Sequence, residues 1–420
     1  MKSGYKQTEV GVIPEDWGVV TATEACQLVV DCKNRTPPFV SESDYAVVRT
    51  PNVREGAFVL EDLRFTDEAS YHVWTARAVP QFGDIMITRE APLGEVCPVP
   101  NGRKVCLGQR MMLYRPSPSK TDSGYLLYSL ASWPVRANLL TKIGGSTVGH
   151  AKVDDIRFLQ LPLPPLPEQR AIAGALSEVD ALLGAQEALL AKKRDLKAAA
   201  MQQLLTGQKR LPSFTGEWEV KTLLELAARK KELFDDGDWI ESEHITNEGI
   251  RLIQTGNIGI GRFVEKDEKK YINQASFNSL RCKQLKQGDL LICRLAEPAG
   301  RACVLGDIGE DHIVTSVDVT IFRPPADLAD RRYLSQVFST PDWFRVVSDR
   351  SGGTTHKRIA RGALGRLSIN LPPLPEQTAI ATVLSDMDAE IAALEAQRDK
   401  TRTLKQGMMQ ELLTGRIRLV

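Results

Sequence analysis

Two short segments of this 420-residue chain combine glycines, hydroxyls and cations in an order suited to gripping phosphate. They are Gly144-Gly145-Ser146-Thr147, followed by Lys152, and Gly352-Gly353-Thr354-Thr355, followed by Lys357 and Arg358. A Gly-Gly turn lets backbone approach a ligand closely, and hydroxyls and cations are what binding proteins place on phosphate oxygens. Net charge is only +1, and residues 1–160 and 211–370 are each balanced, with 18 basic and 18 acidic residues in the first and 23 of each in the second. The positive sign is local. No acid lies between Asp122 and Asp154, nor between Asp349 and Glu376, and each acid-free stretch holds one Gly-Gly segment. Ser146, Thr147, Lys152, Thr354, Thr355, Lys357 and Arg358 are therefore candidate phosphate contacts. Arg89 and Arg294, at matching places after two Gly-Asp-apolar runs, are candidates of the same kind.

Residue spacings that would support catalysis are missing. The chain has no GxxxxGK[ST] phosphate loop, no HExxH and no GxSxG. Gly256-Asn257-Ile258-Gly259-Ile260-Gly261 has the wrong glycine spacing for a nucleotide loop and reads as a turn between strands. Asp84 and Asp289 recur, each between a glycine and an apolar run, which suits a turn better than acid–base work. Five scattered histidines offer no metal-ligand spacing. Seven cysteines without a CxxC pair read as reduced thiols of the cytoplasm. No run of 18 apolar residues is present, and the N-terminal residues lack an apolar signal core, so neither a membrane span nor export is expected.

The elements that must position the candidates are set by a duplication. The 45 residues from Leu163 to Gly207 return from Leu371 to Gly415, at an offset of 208 and without a gap, with 27 positions identical. The skeleton extends into the divergent parts. Val48-Arg49-Thr50-Pro51-Asn52 matches Ile253-Gln254-Thr255-Gly256-Asn257, Tyr114-Arg115-Pro116 matches Phe322-Arg323-Pro324, and Glu15-Asp16-Trp17 matches Gly216-Glu217-Trp218. One fold used twice suits two related but unequal targets.

Each repeated segment reads as a long helix. Paired prolines (Pro164-Pro165, Pro372-Pro373) force extended backbone, Pro167 and Pro375 suit a first helical turn, and Glu168 and Glu376 favour its positive end. Gly207 and Gly415 suit left-handed caps. About 39 residues lie between, or roughly 60 Å of helix. Ile172, Leu176, Val179 and Leu183, repeated as Ile380, Leu384, Met387 and Ile391, are spaced 4, 3 and 4, as in a coiled-coil seam. Leu196, Leu204 and Leu205, with Leu404, Leu412 and Leu413, are expected to continue it, and Lys192, Lys193, Arg194 and Lys197 to leave an outer face free. The economical partner for each helix is its own copy, in an antiparallel pair. The expected fold class is α+β. Residues 1–160 and 211–370 form two similar mixed domains, and 161–210 and 371–420 the two helices. The runs Tyr125–Leu140 and Arg332–Val347 are expected to be helical.

With the LPPLPEQ-x-A-I helix starts, the LLTG ends and the preceding Gly-Gly-Ser/Thr-Thr segments, the whole chain resembles the DNA-specificity subunit of Type I restriction-modification systems. The resemblance implies that each variable domain is a target-recognition domain for one half of a bipartite site in double-stranded DNA. It implies a non-catalytic chain whose helices pair antiparallel and set the gap between the halves. It further implies two modification (methyltransferase) subunits, with S-adenosylmethionine, and two restriction (translocase/nuclease) subunits, with ATP and Mg; this chain itself would bind no cofactor. The specificity subunit of a Type II-like methyltransferase–nuclease complex shares the design and stands as the alternative.

Overall fold

A computed structural model describes residues 4–33, 35–141, 149–295, 298–353 and 357–419. The chain divides into two compact units, residues 1–188 with 396–420 and residues 189–395. The division falls inside both long helices, so each unit holds one variable region and a part of each helix.

In the first unit, four antiparallel strands lie in the order Val96–Pro98, Ile85–Thr88, Met111–Pro116, Cys26–Asp31. A second sheet runs Lys104–Leu107, Tyr45–Val48, Arg64–Thr66, with the first two strands parallel. The second unit repeats the plan. Its first sheet runs Ala302–Val304, Leu290–Cys293, Val319–Phe322, Phe234–Asp236. Its second runs Ile313–Thr315, Ile250–Ile253, Lys270–Ile272, Ile245–Thr246. The mixed strand and helix content of both units is the expected α+β class.

The apolar runs that lack alternation are explained by two cores. Side chains of a strand point alternately to opposite faces. Ile85 and Ile87 join Tyr114, Leu126 and Leu139 on one face, while Met86 joins Val48, Val105 and Leu113 on the other. Likewise Leu290 and Ile292 pack with Tyr333 and Phe338, and Leu291 and Cys293 with Ile253 and Ile321. A strand buried on both faces reads as continuously hydrophobic.

The two helical runs of the variable regions differ from expectation, because each is two helices. Ser123–Ala131 is followed by Trp133–Thr141, and Arg331–Val337 by Pro341–Asp349. Pro134 and Pro341 each sit in the first turn of the second helix, where a missing N–H is harmless. Thr340 then caps its helix by accepting from the N–H of Trp343.

The long helices span Leu166–Leu204 and Leu374–Leu412. Gly207 and Gly415 take φ of +72° and +68°. A side chain at Gly415 would collide with Pro14, its Cβ only 2.5 Å from Cδ, so the cap needs glycine for space as well as for backbone conformation. The glutamine after each Pro-Glu docks the helix on its domain. Gln169 Oε1 accepts from Asp122 N at 2.8 Å and Nε2 donates to Lys120 O and Pro164 O. Gln377 Oε1 accepts from Asp330 N at 3.0 Å and Nε2 donates to Pro372 O.

Within each unit the helices pair antiparallel. In the first, Gln186 faces Thr401, Glu187 faces Arg402 and Asp180 faces Lys405. In the second, Lys193 faces Glu390, Arg194 faces Glu395 and Lys197 faces Asp388. The seam is most fully buried at its ends. Ile172, Leu176, Ile380 and Leu384 are buried among domain and helix residues, each burial contributing roughly 1.5–3 kcal/mol. Val179, Leu183, Met387 and Ile391 are half-buried. Leu204, Leu205, Leu412 and Leu413 are buried as expected, but Leu196 and Leu404 do not continue the seam; they are 49% and 59% exposed. Leu190 and the buried Gln186–Thr401 hydrogen bond occupy the middle instead. Lys193, Arg194 and Lys197 are spent on the facing helix, so the cationic outer face is smaller than its sequence implied. Exposed pairs of this kind contribute about 0.2–1 kcal/mol each, and their value lies in fixing register.

Candidate nucleic-acid interface

The candidate phosphate contacts fall into three groups. Ser146, Thr147, Thr354 and Thr355 lie outside the described residues. Lys152 and Lys357 are exposed, and among the described residues neither ammonium has a carboxylate within 4.0 Å. Lys152 precedes the short helix Val153–Arg157, its backbone N–H donating to Asp155, and Lys357 Nζ donates to Ser348 Oγ at 3.0 Å. Arg358 is half exposed, but its Nε lies 2.7 Å from Asp318 Oδ1.

Arg89 and Arg294 must be corrected. Both are buried, at 6% and 3% exposure. Arg89 Nη1 donates to Ala151 O, and Arg294 Nη1 to Ile359 O. Backbone bonds reinforce each tie, Ala151 N to Arg89 O and Ile359 N to Arg294 O. The two arginines therefore clamp the chain just beyond each Gly-Gly segment onto the central strand, and their forks face carbonyls inside the protein. Arg294 also lies 3.0 Å from Asp236. Burial pulls its guanidinium below the usual arginine range, with Asp236 opposing that shift.

The acid-free stretches are not acid-free in space. Asp318, in the turn before strand Val319–Phe322, approaches Arg358, and the neighbouring pair Asp235 and Asp236, in strand Phe234–Asp236, approaches Arg361. In the first unit Glu90 binds Arg110 and His150, and His150 holds the place that Arg358 takes 208 residues later.

Two features went unread in the sequence. The first is a loop pinned by a buried asparagine in each unit. Asn52 Oδ1 accepts from Arg49 N at 3.1 Å, and its Nδ2 donates to Val59 O at 3.2 Å. Asn257 does the same with Gln254 N at 3.0 Å and Val264 O at 3.0 Å. Backbone bonds from Val59 to Asn52 and from Val264 to Asn257 close both loops at 2.9 Å. The repeated Asn was visible, but its role depends on carbonyls seven residues away. The second is the pairing of the repeated aspartates with the repeated Arg-Pro motifs. Asp84 binds Arg115 through two oxygens at 2.8 and 2.7 Å, and Asp289 binds Arg323 at 2.8 and 2.6 Å. These carboxylates are 2% and 1% exposed and also accept the N–H of Gln81 and Lys286, so each ties off a turn, as the sequence indicated.

The second unit has a cleft of about 740 Å³ beside its pinned loop, lined by Gln254, Thr255, Asn257, Lys266, Lys270 and the 65%-exposed Trp239, with Asp318 on the wall that holds Arg358. Amides, a hydroxyl, cations and an exposed aromatic ring match the edges, backbone and faces of nucleotides, while Glu241, Asp267 and Glu268 on the same lining keep the cleft from being a cationic one. Among the described residues no three His, Cys, Asp or Glu side chains come together as for a metal ion, and no helix is long and apolar enough to cross a membrane.

Comparison with known proteins gives consistent matches. Residues 14–192 and 215–401 each match the Type I restriction modification DNA specificity domain. The chain is 23% identical over its whole length, and over 97% of the relative, to the type I restriction enzyme MjaVIII specificity subunit of Methanocaldococcus jannaschii. A type I restriction-modification S subunit from M. genitalium has the same fold, with a TM-score of 0.58 at 15% identity, covering 94% of this chain and 96% of that one. A chain from a structural study of complex assembly and conformational transition in a type I R-M system aligns at a TM-score of 0.55 and 18% identity, over 96% and 99%.

Proposed function

From the premise that this chain belongs to the family of the Type I restriction modification DNA specificity domain, we propose that each unit reads one half of a bipartite site in double-stranded DNA. One observation carries this reading above the others. The two units share strand order, pinned loop and arginine clamp, yet carry different side chains on that common frame. A repeated scaffold with unequal surfaces suits a target with two unequal parts.

In this reading the chain is non-catalytic and works in the cytoplasm. The paired helices fix the number of unread base pairs between the halves and carry two modification subunits, to which two restriction subunits add. S-adenosylmethionine, ATP and Mg belong to those partners. Lys152 and Lys357, with Arg358 and the Gly-Gly segments, lie along the phosphates and position the duplex without reading it.

The test is methylome sequencing of a host that carries this gene with its modification partner. A single asymmetric motif of two short halves around a fixed gap is expected. Methylation of a continuous site, or of no defined site, contradicts the proposal. Assay of the purified chain alone, with S-adenosylmethionine and DNA, should give no methyl transfer.

A further inference from the structure

The pinned loops carry one difference on an otherwise shared frame. Arg49 and Gln254 hold the same place. Each follows a buried strand, Tyr45–Val48 or Ile250–Ile253, each gives its N–H to the asparagine three residues on, and each is half-buried. One is a guanidinium and the other a carboxamide. These are the side-chain types that make paired hydrogen bonds in a major groove, arginine to O6 and N7 of guanine and glutamine to N6 and N7 of adenine.

Their surroundings are arranged for such a role. Arg49 Nη2 is fixed by Asp62, 2.6 Å from its carbonyl and 2.8 Å from Oδ2, and the Phe39 ring lies 5.9 Å from its guanidinium. Its Nε is buried and out of reach of a base, so the donor left to meet one is Nη1, which among the described residues makes no hydrogen bond. A guanidinium held in place in advance loses little freedom when its remaining donor meets a base acceptor, and Asp62 must share Nη2 if both O6 and N7 are to be met. Gln254 faces the cleft shared with Trp239, Thr255, Lys266 and Lys270, and among the described residues its amide makes no hydrogen bond. It therefore presents an unspent donor and an unspent acceptor side by side.

We propose that Arg49 and Gln254 are the base-reading side chains at equivalent points of the two units, Arg49 taking guanine in one half-site and Gln254 adenine in the other. The assignment rests on the reading that each unit recognises one half-site. It makes residues 49 and 254 determinants of sequence, in contrast to the lysines beyond the Gly-Gly segments.

The test uses the full chain with its modification subunit. Variants Q254R, R49Q and Q254A are expressed in place of the natural chain, and the methylated motif of each is read by sequencing. Q254R should exchange one adenine for guanine in one half-site and leave the other half unchanged. R49Q should make the reverse exchange in the other half. Q254A should accept any base at that one position. In purified complexes the new preference should be about ten- to a hundredfold, with the salt dependence of binding unaltered. Unchanged motifs in both exchange variants overturn the proposal. So does loss of methylation on every sequence, and so does a Q254A chain that melts well below the natural one, since Gln254 would then be scaffold. A natural complex that methylates no bipartite site would instead refute the underlying half-site reading, a separate outcome.

Discussion

Arg418 closes onto Glu168 across 250 residues of sequence, its Nε 2.6 Å from Oε1 and its Nη2 2.8 Å from Oε2. Trp17 Nε1 donates to the same carboxylate at 3.1 Å, and the guanidinium lies over the Trp17 ring at 5.7 Å. Arg210, Glu376 and Trp218 repeat the arrangement in the second unit. Each arginine sits three residues after the glycine that ends one long helix, and each glutamate opens the other. Each unit is thus sealed by the tail of the helix that begins in the other repeat, so neither repeat is complete by itself.

Truncating that arginine should therefore be costly. The Glu168 side chain is 1% exposed and Arg418 27%. Arg418→Ala leaves a buried carboxylate with Trp17 as its remaining described partner. Removing one member of a buried pair costs 3–5 kcal/mol, and the partial exposure here places the loss at about 3 kcal/mol. Urea unfolding of the full chain measures it. Arg418→Lys should recover only part of the loss, because an ammonium cannot bind both Glu168 oxygens and Asp16 in the same fork. A loss below about 0.5 kcal/mol would remove Arg418 from the closure.

The same group gives a pH dependence of known sign. The hydrogen bond from Arg418 holds the Asp16 carboxyl below its usual range. A carboxylate depressed in the folded state stabilises above its unfolded pKa of about 3.9 and loses that contribution as pH falls through the folded value. The difference in stability between the natural chain and Arg418→Ala should therefore narrow as pH drops from about 5 towards 2. Urea titrations at stepped pH check it, and a gap that widens in acid contradicts the pairing.

How much of this was legible depended on distance along the chain. Gly207, Gly415 and the Pro-Leu-Pro starts declared the helix ends, because caps are local chemistry. Ile172, Leu176, Ile380 and Leu384 declared a buried stripe through spacing alone. Glu168 was legible only as a favourable charge at a helix start, since Trp17 and Arg418 lie 151 and 250 residues away. The signal available was the recurrence of Arg210 as Arg418 at the repeat offset, next to the recurrence of Trp17 as Trp218. Arg89 and Arg294 misled for the same reason. A cation beside an apolar strand gives no sign of its direction, and the carbonyls of Ala151 and Ile359 turned both inward. Leu196 and Leu404 misled because an apolar residue in phase is not thereby covered; Gln186 and Thr401 took the central position.

Lengthening the helix pair should move the half-sites apart without altering them, if the pair sets the gap. Four residues add about 6 Å of helix, close to two base-pair rises of 3.4 Å. They must enter both helices, after Ala188 and after Ala396, because one insertion alone would shift Arg194 from Glu395 and Lys197 from Asp388. The expected motif keeps both halves and gains about two unread base pairs, as read by methylome sequencing. Altered bases at a constant gap would contradict the arrangement.

Exchange of residues 1–160 for the matching region of a relative should alter one half-site alone. Each unit has its own cores and its own pinned loop, and the repeated helix segments are left in place. The exchanged region must keep Trp17 and Asp16, or the closure by Arg418 fails before recognition can be read. Simultaneous change of both halves would mean that the units read DNA jointly.

Among the candidate phosphate-binding residues the structure separates free cations from spent ones, and salt dependence can tell them apart. The slope of log affinity against log salt falls by about 0.9 for each B-DNA phosphate that the protein no longer neutralises. Lys152 and Lys357 have no described carboxylate partner, so Lys152→Ala with Lys357→Ala should flatten the slope by about two and weaken binding to all sequences alike. Arg358 begins half neutralised by Asp318. Asp318→Asn should release it, steepening the slope by about one and raising affinity for unrelated sequences, while the methylated motif stays the same. Fluorescence anisotropy across a salt series, with the modification subunit present, measures both. If the double lysine variant keeps its slope while its motif relaxes, those side chains read bases. If Asp318→Asn leaves both slope and affinity unchanged, Arg358 faces away from the duplex, and the second Gly-Gly segment positions DNA through other groups.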